Sequence, residues 1–278
     1  MTTQSAGLVG RFLDDCRRRN LRPGTITQKR NALRRLDRAV QPTALLDVTH
    51  DQLVAYLDRL DQPETRATET SHIRTFYKWA VLEQLIEVDP SARLIRPRVP
   101  RRLPRPMPTN DLAVAIDTAP DRVRPWLVLA AYAGLRACEI SGLRACDLMW
   151  DNQPPLLIVD QGKGGHARAV PMGPVVADEL AGHPRSGWLF PRRDGNPGPT
   201  PPHLVSRLTN DHLHGLGITK TLHTARHWFA TETLRANGGD LRETQELLGH
   251  QSPVSTAIYT WVDPRKAART VAELPVVT

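Results

Sequence analysis

Residues 90–108 read PSARLIRPRVPRRLPRPMP. Prolines at 90, 97, 100, 104, 106 and 108 exclude a helix interior, because proline lacks an N–H and clashes with the preceding turn. The stretch therefore reads as an extended linker that cuts the chain into residues 1–90, 91–108 and 109–278. Six arginines load it, Arg93, Arg96, Arg98, Arg101, Arg102 and Arg105, and no acid occurs between Asp89 and Asp111. A hinge kept only for solubility has no need of such density. A segment lying along a phosphate backbone does, since each neutralised phosphate releases counterions.

The charge of the whole chain agrees with that reading. Residues 1–106 hold 20 Lys and Arg against 12 Asp and Glu, and residues 107–278 hold 17 of each, so the net +8 belongs entirely to the first part. A polyanion partner, most simply nucleic acid, is the direct inference, with a merely solvated basic surface as the alternative. Hydrophobic residues at 40% of 278 give enough material for two real cores. No apolar run approaches the roughly 20 residues that cross a bilayer. The start, MTTQSAGLVGRFLDD, lacks the pattern of a secretory signal, and three cysteines (Cys16, Cys138, Cys146) form no disulfide framework. A cytoplasmic protein is expected.

On the N-terminal side of the linker, four helices are expected. Leu8, Phe12 and Cys16 share one helical face. Thr25 can cap a second helix that buries Leu33 and Leu36, and Thr49 a third that buries Leu53, Tyr56, Leu57 and Leu60. Pro63 opens a fourth, with Ile73, Phe76, Tyr77, Ala80 and Leu85 at helical spacing. On the other side, with Thr109 as a plausible cap, helical patterns cover 111–118, 122–134, 137–143, 173–182, 203–216, 223–237 and 241–248. Residues 156–159 and 167–172 read as a strand pair turning at Gly162-Lys163-Gly164-Gly165. The fold class is mainly α with a small antiparallel β element in the second domain.

Several local patterns in the second domain could carry chemistry. Gly162–Gly165 is not a phosphate-cradling P-loop, since a strand rather than a helix follows it; what remains is a turn lysine, Lys163, in a chain with only five lysines. Lysine can donate a proton at neutral pH and arginine cannot. His223-Thr224-Ala225-Arg226-His227 has the i,i+4 histidines of a zinc helix, but Thr224 stands where a metalloprotease needs its glutamate, and Arg226 would repel a cation. His223 and Arg226 share a face and suit an anion; they suit equally a core histidine beside a paired arginine. Arg136 falls near a helix start, where backbone N–H groups favour anions, and Glu139 one turn on could pair with it or hold it. Gly249 ends a helix before His250, and Tyr259 follows nine residues later, either as packing or as a nucleophile.

In order these residues are Arg136, Lys163, His223-x-x-Arg226, His250 and Tyr259. Carried on AYAGLRACEISGLRACDL, QGKGGHARAVPM, LHTARHWFATETL and ELLGHQSPVSTAIYTWV, that order resembles the tyrosine recombinase, or phage integrase, family, nearest its short two-domain Xer-like or mobile-element members. The resemblance implies a four-helix core-binding domain followed by a catalytic domain. It implies attack by Tyr259 on a DNA phosphate, Arg136 and Arg226 stabilising the charged phosphate, Lys163 as general acid, and His223 and His250 as phosphate or proton partners. Glu139 would support the site from behind. It further implies double-stranded DNA as partner, a tetramer on paired sites, and neither metal nor cofactor. No arm-binding module is visible ahead of the first helix, and Val271, Leu274, Val276 and Val277 in the tail could dock on a neighbouring subunit. The rival expectations are a type IB topoisomerase using the same nucleophile and a DNA-binding accessory protein without catalysis.

Overall fold

The computed structural model describes residues 3–99, 105–160 and 167–249. Lys163, His250, Tyr259, Arg101, Arg102 and the C-terminal tail lie outside the described residues. The chain divides into two compact units, Met1–Arg101 and Arg102–Thr278.

The first unit is helical: α1 (Thr3–Arg18), α2 (Pro23–Ala39), α3 (His50–Asp58) and α4 (Pro63–Leu82). Their apolar stripes meet in one core around Phe12, Leu33, Leu36, Leu53, Ile73, Phe76 and Tyr77, all fully buried. Phe12 and Phe76 pack edge to face at 5.4 Å between centroids, an arrangement favoured by the ring quadrupoles. A polar clamp on the buried Glu69 ties three of the helices. Tyr56 on α3 donates to Glu69 on α4 at 3.0 Å, and Arg35 on α2 pairs with the same carboxylate. Thr49 makes the expected cap, accepting from Gln52 N at 3.3 Å while the Gln52 side chain accepts from Thr49 N at 3.0 Å. Thr25 does not cap α2. The helix begins two residues earlier at Pro23, whose missing N–H costs nothing in the first turn. Leu85 lies past the end of α4, which stops at Leu82.

The ends of the Arg/Pro-rich stretch belong to the cores on either side: Leu94 is 5% exposed against the helical unit, and Met107 is 1% exposed within the second. Arg93, Arg96, Arg98 and Arg105 are exposed.

The second unit contains α5 (Thr109–Asp117), α6 (Arg124–Tyr132), α7 (Ala137–Gly142), α8 (Pro174–Leu180), α9 (Pro202–Gly215), α10 (Leu222–Ala236) and α11 (Leu241–Leu248). Thr109 is the first helical residue of α5 and not its cap, which is Pro108. α6 is buried on every side from Pro125 to Ala131, as its uninterrupted apolar run requires. It packs against α5, α7, α8, α9 and α10 and is the axle of the unit. The sheet has three antiparallel strands in the order β1 (Leu148–Met149), β2 (Leu156–Val159), β3 (Arg168–Pro171). β2 and β3 pair in the expected hairpin, with Leu157 opposite Val170 and Val159 opposite Arg168. β1 was not expected, because two residues are too few to show alternation. No helix among the described residues is long and apolar enough to cross a membrane.

Candidate active site

The site is assembled around the turn that leaves α6. Gly134 takes φ +64°, and a Cβ there would stand 2.5 Å from the Phe229 ring on α10, so only glycine serves at this point. The turn delivers Arg136 to the N-cap of α7. Glu139, one turn further, folds back so that its Oε2 accepts the Arg136 N–H at 2.8 Å, while Oε1 accepts from the Arg136 guanidinium at 2.6 Å.

Two more arginines converge on Glu139. Arg168, at the start of β3, donates to Oε1 at 3.1 Å and to Oε2 at 2.9 Å, a two-pronged pair. Arg226 on α10 stands 3.6 Å from Oε2. The same Arg226 donates to Gly134 O and, at 2.7 Å, to Leu248 O, and so ties the α6 turn to the end of α11. Arg168 Nε donates to the neighbouring carbonyl, Leu247 O, at 2.8 Å. These guanidiniums satisfy the last carbonyls of α11 and complement its dipole. Gly249 then turns the chain at φ +60°, and a Cβ there would meet Arg168 Nη1 at 2.8 Å.

The charges order the site by depth. The Glu139 side chain is 0% exposed, Arg226 2%, Arg168 8% and Arg136 20%. Burial alone would raise the Glu139 carboxyl; the hydrogen bonds and charge of Arg168, then the Arg136 N–H and the charge of Arg226, outweigh it and hold the group below the ordinary carboxylate range. His223 reaches solvent on the first turn of α10. Partial desolvation, then the charges of Arg226 and Arg136, lower its pKa, so the ring is neutral at pH 7. Its neighbour His227, at 4.4 Å between ring centroids, is pushed down to about 4 by burial and by the charges of His223 and Arg226. Thr224, between them, accepts the Thr221 N–H at 3.1 Å and so anchors the start of the helix. Among the described residues no group of three or more His, Cys, Asp or Glu side chains could hold a metal.

Three guanidiniums around one carboxylate sum to 3 − 1 = +2 in a largely buried cluster. Arg136 and His223 form the part open to solvent, and their donors and charge suit a doubly coordinated oxyanion such as a phosphate. Of the residues singled out from the sequence, the structure brings together Arg136, Glu139, His223 and Arg226. Arg168 escaped sequence reading. It looks like an ordinary residue after a turn, its partners lie 29 and 79 positions away, and no local pattern announces them.

In chain order, a four-helix unit is followed by a mainly helical unit that gathers three arginines around a buried glutamate at the turn after its central helix. The Phage integrase family model matches residues 108–266, and the Phage integrase, N-terminal SAM-like domain model matches residues 9–84. Tyrosine recombinase XerD of Shewanella oneidensis is 33% identical over 94% of this chain and 94% of its own. Tyrosine recombinase XerC of Mesorhizobium japonicum is 34% identical over 69% of this chain and 66% of its own. Among solved structures, a lambda integrase dimer bound to a COC′ core site shares the fold, with a TM-score of 0.71 at 18% identity over 98% of this chain and 79% of that one. The chain belongs to the phage integrase family and is a tyrosine-type, site-specific DNA recombinase, an enzyme that cleaves and rejoins DNA.

Proposed function

We propose that the chain binds duplex DNA and cuts it through a 3′-phosphotyrosyl intermediate on Tyr259, in a tetramer that holds two paired sites. The observation that carries this reading is the Arg136–Glu139–Arg226 cluster with His223 at its rim. A scissile phosphate set on it would find Arg136 at the rim and Arg226 at the floor, both stabilising charge that grows on the non-bridging oxygens in the transition state. Losing one such donor typically costs roughly a hundredfold or more in rate. His223 is neutral at pH 7 and can donate one hydrogen bond to the phosphate or accept the tyrosine proton. Glu139 fixes the Arg136 rotamer from behind. Lys163 is the general acid for the departing 5′-oxygen, and His250 donates to the same phosphate. The phosphate ester to Tyr259 conserves the energy of the broken bond, so the reverse attack by a 5′-hydroxyl needs no nucleotide cofactor and no metal. The helical unit and the six linker arginines supply grip on the backbone, and the reaction is placed in the cytoplasm, where the DNA is.

Self-association is also what distinguishes this reading from topoisomerase action. The lambda integrase neighbours include a dimer on a core site and a tetramer on a Holliday junction. A supercoiled plasmid bearing two copies of a bound site, incubated with the protein, tests the proposal. Recombinant circles are expected. Relaxation without recombinants would assign the chain to the topoisomerase class, and binding without either product to the accessory proteins.

A further inference from the structure

We infer that Arg168 is a positioning residue for strand cleavage: it compensates the buried charge of Glu139 so that the positive field of Arg136 and Arg226 acts on the scissile phosphate. The inference rests on the recombinase reading above and adds a residue and a role to it.

Glu139 is needed where it is, because it accepts the N-cap N–H of α7 and orients Arg136. A fully enclosed carboxylate must nevertheless be paired, since leaving it uncompensated is strongly unfavourable. Were Arg136 and Arg226 its only partners, the cluster would sum to 2 − 1 = +1, half of what it holds with Arg168. The geometry shows which cation does the compensating. Arg168 makes both prongs of a carboxylate pair, at 2.9 and 3.1 Å, whereas Arg226 stands back at 3.6 Å with its nitrogens turned to the carbonyls of Gly134 and Leu248. A two-pronged guanidinium–carboxylate pair is the stronger arrangement.

Arg168 is also seated with unusual care. Its Nε is held by Leu247 O at 2.8 Å, its Cα by the pairing of β3 with β2 opposite Val159, and its guanidinium lies where a side chain at position 249 would collide. It thereby joins the strand that follows the Lys163 segment, the α7 cap and the end of α11, with 8% of its side chain exposed. Each of its three nitrogens already donates, Nε to Leu247 O and the other two to the Glu139 oxygens, so it acts through Glu139.

The test uses the full-length protein and a nicked suicide duplex whose sequence the wild-type protein has first selected from random DNA. Single-turnover formation of the covalent adduct and equilibrium binding are read side by side. Arg168→Met is expected to slow adduct formation by roughly a hundredfold, the scale of one lost transition-state donor, with affinity changed by less than about threefold. Adding Glu139→Gln to Arg168→Met removes the charge that Arg168 had met, and is expected to recover at least about tenfold of the rate. Wild-type speed in Arg168→Met, or a double variant no faster than the single, overturns the inference. If Arg168→Met does not fold, Arg168→Lys decides: it keeps the charge and loses the fork. A rate within about tenfold of wild type is expected, and a folded Arg168→Lys as slow as a hundredfold loss overturns the inference in favour of a purely structural role. Failure of the wild-type protein to form any adduct would instead overturn the recombinase reading on which all of this rests.

Discussion

At the scale of single residues, the site depends on two glycines as much as on its charged groups. Gly134 must adopt φ +64° under the face of Phe229, and Gly249 must adopt φ +60° against the Arg168 guanidinium. A left-handed conformation costs a residue with a Cβ about 1–2 kcal/mol before any collision. Gly134→Ala adds displacement of the partly buried Phe229 ring, and is expected to lower stability by about 2–4 kcal/mol and to slow cleavage further by moving Arg136. Chemical denaturation with urea measures the first effect and adduct formation the second; unchanged values for both would show that the turn is not a constraint. Much of this site was legible in the sequence, because Arg136, Glu139, His223 and Arg226 stand in order at positions of the family's motifs, whereas local spacing alone left each of them open. Arg168 was not, because its role arises from contacts between segments far apart in the chain. Gly134 showed in the sequence only as one letter of the family pattern, and its physical necessity appears only beside Phe229.

At the scale of elements, α10 carries the site, and it does so at some cost to its own stability. His223 and His227 are one turn apart, 4.4 Å between rings, and the charge of Arg226 acts on both and that of Arg136 on His223. An unfolded histidine takes up a proton near pH 6.5, while folded His227 refuses it until about pH 4. Between those values the unfolded chain binds more protons than the folded one, so stability falls as the pH falls through that window. Thermal unfolding followed from pH 7 to pH 4.5 is expected to show this decline, and His227→Gln to flatten it. A decline of equal steepness in His227→Gln would assign the effect to other groups. The helices themselves were readable from apolar spacing, and their ends were less so. α2 and α5 both start at or beside a proline, Pro23 and Pro108, where the threonines Thr25 and Thr109 looked like better caps. Proline sets the φ of the first turn without a side-chain hydrogen bond, so it displaces the cap without leaving the pattern that a cap leaves.

At the scale of the whole molecule, the charge asymmetry of the sequence becomes a division of labour. The first 106 residues hold the net +8, with Arg93, Arg96, Arg98 and Arg105 exposed, while the neutral remainder gathers three arginines around Glu139. Replacing the six linker arginines by glutamine is expected to weaken DNA binding and to flatten its salt dependence, by up to about 5 in the slope of log K against log salt if all six meet phosphates. Arg136→Ala is expected to leave that slope nearly unchanged and to abolish cleavage. A linker variant with the wild-type slope would remove the linker from the interface.

On the proposed mechanism, the chain breaks DNA by attack of Tyr259 on the phosphate. Trapping the protein on a nicked suicide duplex, digesting the adduct and locating the nucleotide by mass spectrometry tests that claim directly. A 3′-phosphodeoxynucleotide is expected on the peptide containing Tyr259, and no adduct from Tyr259→Phe. An adduct on any other residue, or one formed by Tyr259→Phe at the wild-type rate, would contradict it.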